Sequence, residues 1–585
     1  MMKTPGPAHI FGRRALRLWL MTLLSLLWFD VCWCLQTTFT AFSMAETWVN
    51  ALLLSSLLSF PALVFDLRRT QAVIVTLLCL LLEANLLYSR TYFSAIPLSS
   101  YLLASNLGDF TASVTDSLRW PDLGFAAVVA GAWTFALRRA PRITSRRRSR
   151  VTLWALATGI LALVSGILIA ARGGYAGAWR SLENANYYSC RTPMYTVAGW
   201  LVHDASVSLA PLSDADRAEV EQWITEQPHC PTLPDSVAAP RSVILILCES
   251  LESWPIGLTL EGREITPVLN SLVADTARTL YAPEIVTQVG AGRSIDGQLL
   301  IMTGLQPMLS GVYAMSRADN EYPSLIKAMR PDRSYLLTVD KPVTWNQAAV
   351  ARAFGTDTLI SRDSWVNDEP VGSRRKLGDR SFMSQIAAKM SAGEIWPEGE
   401  RAFIEIVTYS GHNPFVLPPE LDSLKLRGDY MSVVRDYLTM ARYTDSAIGR
   451  LLAYLRTRPD YASTMIVITG DHEGLASYRP EAASRHSFVS PRQVTPLIVV
   501  NAPVGAGRVT KTGGQADIYS TLLHLTGLSG YGWQGTGMSL ADPAHPGVAV
   551  GSRGDVCGDS SALTPHRRDA RIISDRIINY NLLHK

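Results

Sequence analysis

The stretch SVILILCES, residues 242–250, runs through six consecutive apolar residues, Val243 to Cys248, and then meets an acid, Glu249. A strand with one wet face alternates apolar and polar positions, so an unbroken apolar run bounded by polar residues reads as a central strand covered on both faces. Four more runs share this character: SYLLTV (334–339), AFIEIVTY (402–409), TMIVIT (464–469) and TPLIVV (495–500). Between them lie stretches of helical periodicity such as TPVLNSLVADT (266–276) and YLTMARYTDSAIGRLLAYLRTR (437–458). Strand, loop and amphipathic helix in repeated order predict an α/β domain with a mainly parallel central sheet from about residue 241 onward.

The part before that domain is of another kind. The chain has 585 residues and 48% hydrophobic content, high for a soluble protein of this length, and nearly all of its long apolar runs precede residue 172. Five of them approach bilayer-spanning length: Leu18–Leu35, Val49–Phe65, Ala72–Leu87, Leu123–Leu137 and Val151–Ala171. Basic residues flank them asymmetrically. Lys3, Arg13, Arg14 and Arg17 precede the first, Arg68 and Arg69 separate the second and third, and RRAPRITSRRRSR (138–150) separates the fourth and fifth. The other connections are nearly free of basic residues, with Arg90 and Arg119 as exceptions. Lys and Arg are retained on the cytoplasmic side, so this pattern predicts an N-terminus inside, five crossings and everything after Ala171 outside the cytoplasm. The four further apolar segments argue against reading the first as a cleaved signal peptide. The RRRSR run also suits contact with anionic headgroups. The expected organisation is therefore a transmembrane α-helical domain over 1–171, a membrane-proximal linker over 172–240 and an extracytoplasmic α/β domain over 241–585.

A net charge of +4 is small for this length, and many of the arginines serve topology, so no nucleic-acid partner is expected. The seven cysteines show no CxxC pair; Cys190 and Cys230 are free to pair if their compartment is oxidising.

In α/β sheets, ligands bind beyond the carboxyl ends of the strands. There the chain places Glu249 after the first strand, Ser410, Gly411 and His412 after the third quoted run, and Asp471 and His472 in GDHEG after the fourth. Two carboxylates and an imidazole form an inner shell for a divalent cation of intermediate hardness, Mn²⁺ or Zn²⁺, with a position left for a reacting oxygen. Ser294, in QVGAGRSIDG (288–297), is the candidate for that oxygen, because coordination lowers a hydroxyl's pKa, and Arg293 beside it can balance charge on a phosphoryl group. The glycines there do not form a nucleotide loop: G-x-x-x-x-G-K-[ST] would need Gly where Thr287 stands and Lys where Arg293 stands. A plain glycine turn stays open. SIDGQLLIMTGL (294–305) reads as a helix whose N-terminus carries Ser294, where backbone N–H groups favour an anion.

Taken together, ILILCESLES (244–253), ITPVLNSL (265–272), QVGAGRSIDGQ (288–298), TWNQAAVARAFG (344–355), TYSGHNPF (408–415) and ITGDHEG (468–474) follow one another in an order that resembles the lipoteichoic acid synthase family, membrane phosphoglycerol transferases of the alkaline phosphatase and sulfatase superfamily. The resemblance implies a sulfatase-like fold for the α/β domain. It implies one divalent ion, manganese first and zinc or magnesium as substitutes, held by Glu249, Ser294, Asp471 and His472, with Ser294 as nucleophile and Arg293 beside it. It implies that His412, Trp345, Asp340 and Gln347 line the substrate pocket. The family has threonine at the place of Ser294 and lysine at that of Arg293. It also has arginine at Gln347 and an acid at Gln298, which leaves the head group open. CRTPM (190–194) lacks the C-x-P-x-R spacing of a sulfatase, so sulfate ester hydrolysis is not expected.

The implied activity is transfer of phosphoglycerol from phosphatidylglycerol, through phospho-Ser294, to an acceptor hydroxyl on a polymer, glycolipid or glycan, at the bacterial cytoplasmic membrane. A phosphoethanolamine transferase and a non-catalytic membrane sensor or scaffold are the competing readings. His486, in SRHSF (484–488), has no assigned role.

Overall fold

The structure is a computed structural model that describes residues 10–37, 43–92, 95–96, 118–138, 145–181, 197–208, 211–309, 311–475, 478–552 and 554–584. Lys3, Cys190 and the CRTPM segment lie outside the described residues. The chain divides into two compact units, Met1–Pro211 and Leu212–Lys585.

The first unit is helical: α1 (Arg13–Thr37), α2 (Ala45–Leu58), α3 (Phe60–Phe65), α4 (Arg68–Tyr92), α5 (Leu123–Leu137) and α6 (Arg147–Ala171). Among the described residues four helical segments are long and apolar enough to cross a membrane: Arg13–Gln36, Arg68–Arg90, Trp120–Leu137 and Arg147–Ala171. The expected second span, Val49–Phe65, is not one helix. It is divided between α2 and α3 at Ser59, because Pro61 has no N–H to continue the ladder and sits in the first turn of α3. Ser59 and the Gln71 amide both bond Thr22, at 3.2 and 3.0 Å, so the break is anchored by polar contacts inside the helical unit.

The second unit is built on a nine-stranded sheet: β1 (Ser242–Cys248), β2 (Thr279–Val286), β3 (Arg333–Thr338), β4 (Thr358–Ile360), β5 (Ala402–Val407), β6 (Thr464–Gly470), β7 (Val494–Val500), β8 (Gly507–Arg508) and β9 (Gly513–Gly514). Their order is β8-β2-β7-β6-β1-β5-β3-β4, with β9 also on β2. All seven residues of β1 are buried, as its unbroken apolar run requires. Val243, Leu245 and Leu247 pack on one face with α7 (Ser294–Thr303), α8 (Gln347–Phe354), α10 (Gln515–Leu525) and α11 (Thr564–Tyr580). Ile244, Ile246 and Cys248 pack on the other with α9 (Ser432–Leu455). Burying each such aliphatic side chain contributes roughly 1.5–3 kcal/mol, so the two-sided cover of β1 is a principal source of stability.

The sheet is mixed rather than parallel throughout. β1 pairs in parallel with β5 and β6, and β3 with β4 and β5, but β7 runs antiparallel to both β6 and β2. A parallel return after β6 needs a crossover that spans the sheet. The connection from β6 to β7, residues 471–493, makes no such crossover: its only helix among the described residues is Arg479–Arg485, seven residues and so about 10 Å long, and β7 runs back beside β6.

Candidate active site

The strand register makes the site. Cys248 of β1 lies opposite Gly470 of β6, so Glu249 and Asp471 leave the sheet side by side. The Asp471 N–H donates to Cys248 O at 3.1 Å, and the Ser250 N–H donates to Asp471 Oδ1 at 2.7 Å. Two glycines allow the neighbouring strand ends to close in: a Cβ on Gly411 would stand 2.0 Å from Glu249 O, and one on Gly470 would stand 2.0 Å from Leu251 O. The Glu249 N–H is held by Thr408 Oγ1 at 2.9 Å, and Ser250 Oγ donates to Glu249 Oε1 at 2.8 Å.

Ser294 is the first residue of α7, entered through Arg293 at φ 50°, a conformation that non-glycine residues adopt only where their surroundings impose it. Asp296 imposes part of it by accepting from the N–H groups of Gly290 and Gly292, at 3.0 and 2.8 Å, which folds QVGAGR around its carboxyl. Ser294 Oγ donates to Glu249 Oε2 at 3.1 Å and lies 3.1 Å from His472 Nε2. His472 Nε2 is in turn 3.3 Å from Glu249 Oε1 and 3.6 Å from Asp471 Oδ2. With His472 Nδ1 donating to Glu473 O at 2.9 Å, Nε2 is the ring atom that faces the two carboxylates and the hydroxyl.

Arg293 is committed as well. Its guanidinium forms a buried ion pair with Glu473 and donates to Glu473 O at 3.0 Å. Burial raises the Glu473 carboxyl, but the Arg293 charge outweighs it and holds the group at about 2. Across the cleft, burial and the charge of Glu249 push Asp471 up to about 7. Burial also raises Glu249, yet the His472 charge brings it below the ordinary carboxylate range. Burial disfavours the His472 cation, and the Asp471 charge overcomes that and moves the group up to about 9. The ligand atoms of Glu249, Asp471 and His472 all lie within 4.8 Å of one another, so this donor set fits a divalent ion of intermediate hardness.

The remaining sequence candidates fall into two groups. His412 follows β5 and stacks on Tyr409 at 5.7 Å. Lys376 lies 4.1 Å above the Tyr409 ring and pairs with Asp340, so Asp340 is linked to His412 through Lys376 and Tyr409. Trp345 is half-buried and, with Asn346, adopts consecutive left-handed conformations at φ 52° and 51° in the loop after β3. Gln347 differs. It is buried, and its Nε2 donates to Gln298 Oε1 at 3.0 Å. Two of the four positions at which the chain departs from the pattern the resemblance implies, Gln298 and Gln347, are thus partners, an amide pair between α7 and α8 one turn along α7 from Ser294.

Several contributors escape a reading of the strand ends. Glu473 lies inside GDHEG and Asp296 inside GRSIDG, and both are recognisable in retrospect as partners of the basic and glycine residues next to them. Glu252 accepts from the N–H groups of Gly474 and Leu475, at 2.7 and 2.9 Å, and pairs with Arg479, which pins the loop after His472; its signal is the second acid of CESLES. Lys376 carried no signal, since its partner is distant in sequence. His486 Nε2 accepts from the Met431 N–H at 3.2 Å, away from the cluster. Cys230 is buried, its thiol donating to Ser520 O at 3.3 Å, and its candidate partner Cys190 lies outside the described residues.

Comparison with known proteins agrees with this architecture. A sulfatase family model matches residues 241–528, and a lipoteichoic acid synthase N-terminal domain model matches residues 6–177. The lipoteichoic acid synthase-like protein YvgJ of Bacillus subtilis is 24% identical over 421 residues, 65% of this chain and 66% of that protein. Lipoteichoic acid synthase 2 of the same organism is 25% identical over 515 residues, 84% of this chain and 77% of that protein. Lipoteichoic acid synthase of Staphylococcus saprophyticus is 26% identical over 328 residues, 54% of this chain and only 50% of its own length, so the chain spans half to three quarters of these relatives. Among solved structures, the lipoteichoic acid synthase LtaP of Listeria monocytogenes shares the fold with a TM-score of 0.50 at 17% identity, covering 62% of this chain and 98% of that one. The chain thus carries, in that order, a segment that matches the lipoteichoic acid synthase N-terminal domain and one that matches the sulfatase domain, and the relatives it resembles along both are lipoteichoic acid synthases.

Proposed function

We propose that the chain is a membrane-anchored phosphotransferase that moves phosphoglycerol from phosphatidylglycerol to an acceptor hydroxyl on a polymer, glycolipid or glycan through phospho-Ser294. The observation that carries this reading is the placement of Ser294 Oγ at 3.1 Å from both Glu249 Oε2 and His472 Nε2, at the N-terminus of a buried helix. Ser294 Oγ attacks the phosphorus of the donor diester, its proton passing to the site's acceptors as the P–O bond to diacylglycerol breaks and the diacylglycerol oxygen is protonated. The acceptor hydroxyl then attacks the same phosphorus, the P–Oγ bond breaks and Ser294 is restored. Glu249, Asp471 and His472, with Ser294, would hold one divalent ion, Mn²⁺ in the first instance and Zn²⁺ or Mg²⁺ as substitutes, whose charge would lower the hydroxyl's pKa and offset that of the phosphoryl oxygens. Arg293 steadies the loop through Glu473, and His412, Trp345 and Asp340 face the incoming head group. Gln347 supports α7 through Gln298.

The domain plan in this reading is a membrane domain over 1–171, a linker over 172–240 and an extracytoplasmic catalytic domain over 241–585 of a multi-pass protein of the bacterial cytoplasmic membrane. Arginines stand at the starts of α1, α4 and α6 and just after the end of α5 at Arg138. If the starts of both α1 and α4 face the cytoplasm, the chain must return between them, and α2 with α3 serves as a broken fifth pass.

The test uses full-length protein in liposomes containing head-group-labelled phosphatidylglycerol or phosphatidylethanolamine. The expected result is label from phosphatidylglycerol on the peptide carrying Ser294, lost in Ser294→Ala and after chelation, and restored by Mn²⁺. Label from phosphatidylethanolamine alone would assign the other head group. A protein that binds no Mn²⁺ or Zn²⁺ and takes up no label would be a scaffold, and an active Ser294→Ala variant would end the nucleophile assignment.

A further inference from the structure

The exposed apolar side chains of the second unit are not spread at random. Beyond residue 211 the large hydrophobics exposed among the described residues are Val343 at 45%, Val366 at 70%, Val416 at 46%, Tyr478 at 45% and Ile572 at 44%. Singly, each is unremarkable. Four of the five share one location, however. Val343 lies in the loop after β3, Val366 in that after β4, Val416 in that after β5 and Tyr478 in that after β6. These strands are joined to one another and to β1 by parallel pairings alone, so all four loops project from the sheet edge that carries Glu249, Asp471 and His472. The loops entering the same strands at the opposite edge hold none of the five.

Two of these residues sit on fixed backbone. Val366 exchanges hydrogen bonds with the Gln385 amide, N–H to Oε1 at 2.9 Å and Nε2 to O at 2.7 Å, and Val416 O accepts from the Gly372 N–H at 2.9 Å. An apolar side chain held outward by satisfied backbone is presented, not left loose. Between the valines, the loops after β3 and β4 expose Lys341, Arg362, Arg374 and Arg375 against the exposed acids Asp363 and Asp368. Aliphatic residues interspersed with an excess of cations match the bilayer interface, where the apolar groups enter the acyl boundary and the cations meet anionic headgroups.

We propose that this rim docks on the surface of an anionic phospholipid bilayer and holds the mouth of the Ser294 pocket against the headgroup layer. The inference rests on the reading of Ser294 as a nucleophile for a lipid donor. A phosphodiester headgroup stays within the interfacial layer, and a rim seated there lets Ser294 reach it without extraction of the acyl chains.

The test uses the full chain in nanodiscs, with a photoreactive phenylalanine analogue at position 343, 366 or 416 and, as reference, at 572. Expected are lipid adducts at 343, 366 and 416, several times more with anionic than with zwitterionic lipid, and few at 572. Adducts to protein or acceptor glycan in place of lipid, or equal lipid labelling at all four positions, would overturn the proposal. A second arm combines Val343→Asp, Val366→Asp and Val416→Asp. Transfer from donor in the bilayer should fall roughly tenfold or more while turnover of a water-soluble phosphodiester is kept, and equal loss on both donors would refute docking. Lipid adducts that persist in a protein whose Ser294 carries no label would keep the rim and end the lipid-donor reading, which separates the two failures.

Discussion

Glu405 offers a sharp test of how the sheet tolerates a fully buried mid-strand acid. It lies in β5 between Phe403 and Val407, on the face packed by α7 and α8, and is fully buried. Its Oε1 has no hydrogen-bond partner, and no ion pair reaches it among the described residues. Burial therefore pushes the carboxyl up to about 8, with the nearby Gln298 amide offsetting only part. For a carboxylic acid the sign is fixed: a folded-state pKa above the unfolded 4.5 means that the native state binds the extra proton, so stability is lost as pH rises from about 4.5 to about 8. At about 1.4 kcal/mol per unit of separation, the cost at pH 7 is on the order of 3 kcal/mol, against less than about 1 kcal/mol at pH 5. Glu405→Gln keeps the shape and removes the titration. For a unit the size of residues 212–585, about 1 kcal/mol corresponds to roughly 1 °C, so the variant should melt about 3–4 °C above the parent at pH 7 and within about 1 °C of it at pH 5. Differential scanning fluorimetry of the full chain in one detergent, run as a pH series, measures the difference directly. A difference that does not grow with pH, or that changes sign, would show that Glu405 is charged and compensated in the fold.

Two further outcomes follow from close contacts around α7. A Cβ on Gly297 would stand 2.5 Å from Asp471 O, so Gly297→Ala must move the nucleophile helix off the second carboxylate; transfer should fall by about 10²-fold with the fold retained, as read by initial rate and circular dichroism. Because Gln298 and Gln347 bond each other, Gln298→Ala and Gln347→Ala should be non-additive by about 0.5–3 kcal/mol in a thermal-unfolding double-mutant cycle; additive effects, with the Gln347 variant changing only KM, would return Gln347 to the substrate pocket.

Which parts of this molecule can be read from its residues follows the range of the forces involved. The apolar runs at 242–248, 334–339, 402–407, 464–469 and 495–500 each fall on a strand, because covering both faces of a strand is a local demand on its composition. Strand direction is not local. TPLIVV is as apolar as its neighbours, yet β7 runs backward, because the connection over residues 471–493 makes no crossover across the sheet and not because of its own residues. β2 does not stand out in the sequence because TLYAPEIV carries Pro283 and Glu284, which dilute the run, while its pairing with β7 buries most of it all the same. In the membrane unit the hydropathy of residues 49–65 is that of a span, but one imino acid decides whether it is one helix or two.

The same distinction governs the site. Glu249, Asp471 and His472 were legible since each directly follows a strand, and strand ends converge wherever parallel register aligns them, as the pairing of Cys248 with Gly470 does. What could not be read is compensation across the sequence. Gln298 and Gln347 stand 49 positions apart, and taken singly each looks like the loss of a charged group from a phosphate site. An acid and an arginine buried together would each require the other, since one alone would be an unpaired buried charge costing several kcal/mol. Two amides in contact satisfy part of each other and leave Gln298 Nε2 and Gln347 Oε1 without a hydrogen-bond partner, a neutral arrangement that the layer beneath Ser294 can hold beside the buried carboxyl of Glu405, whose pKa burial raises. A charged residue restored at only one of these positions would face Glu405 in the same dry layer, so the charge state of all three groups is one property of the layer, set jointly and visible only once the chain has brought α7, α8 and β5 together.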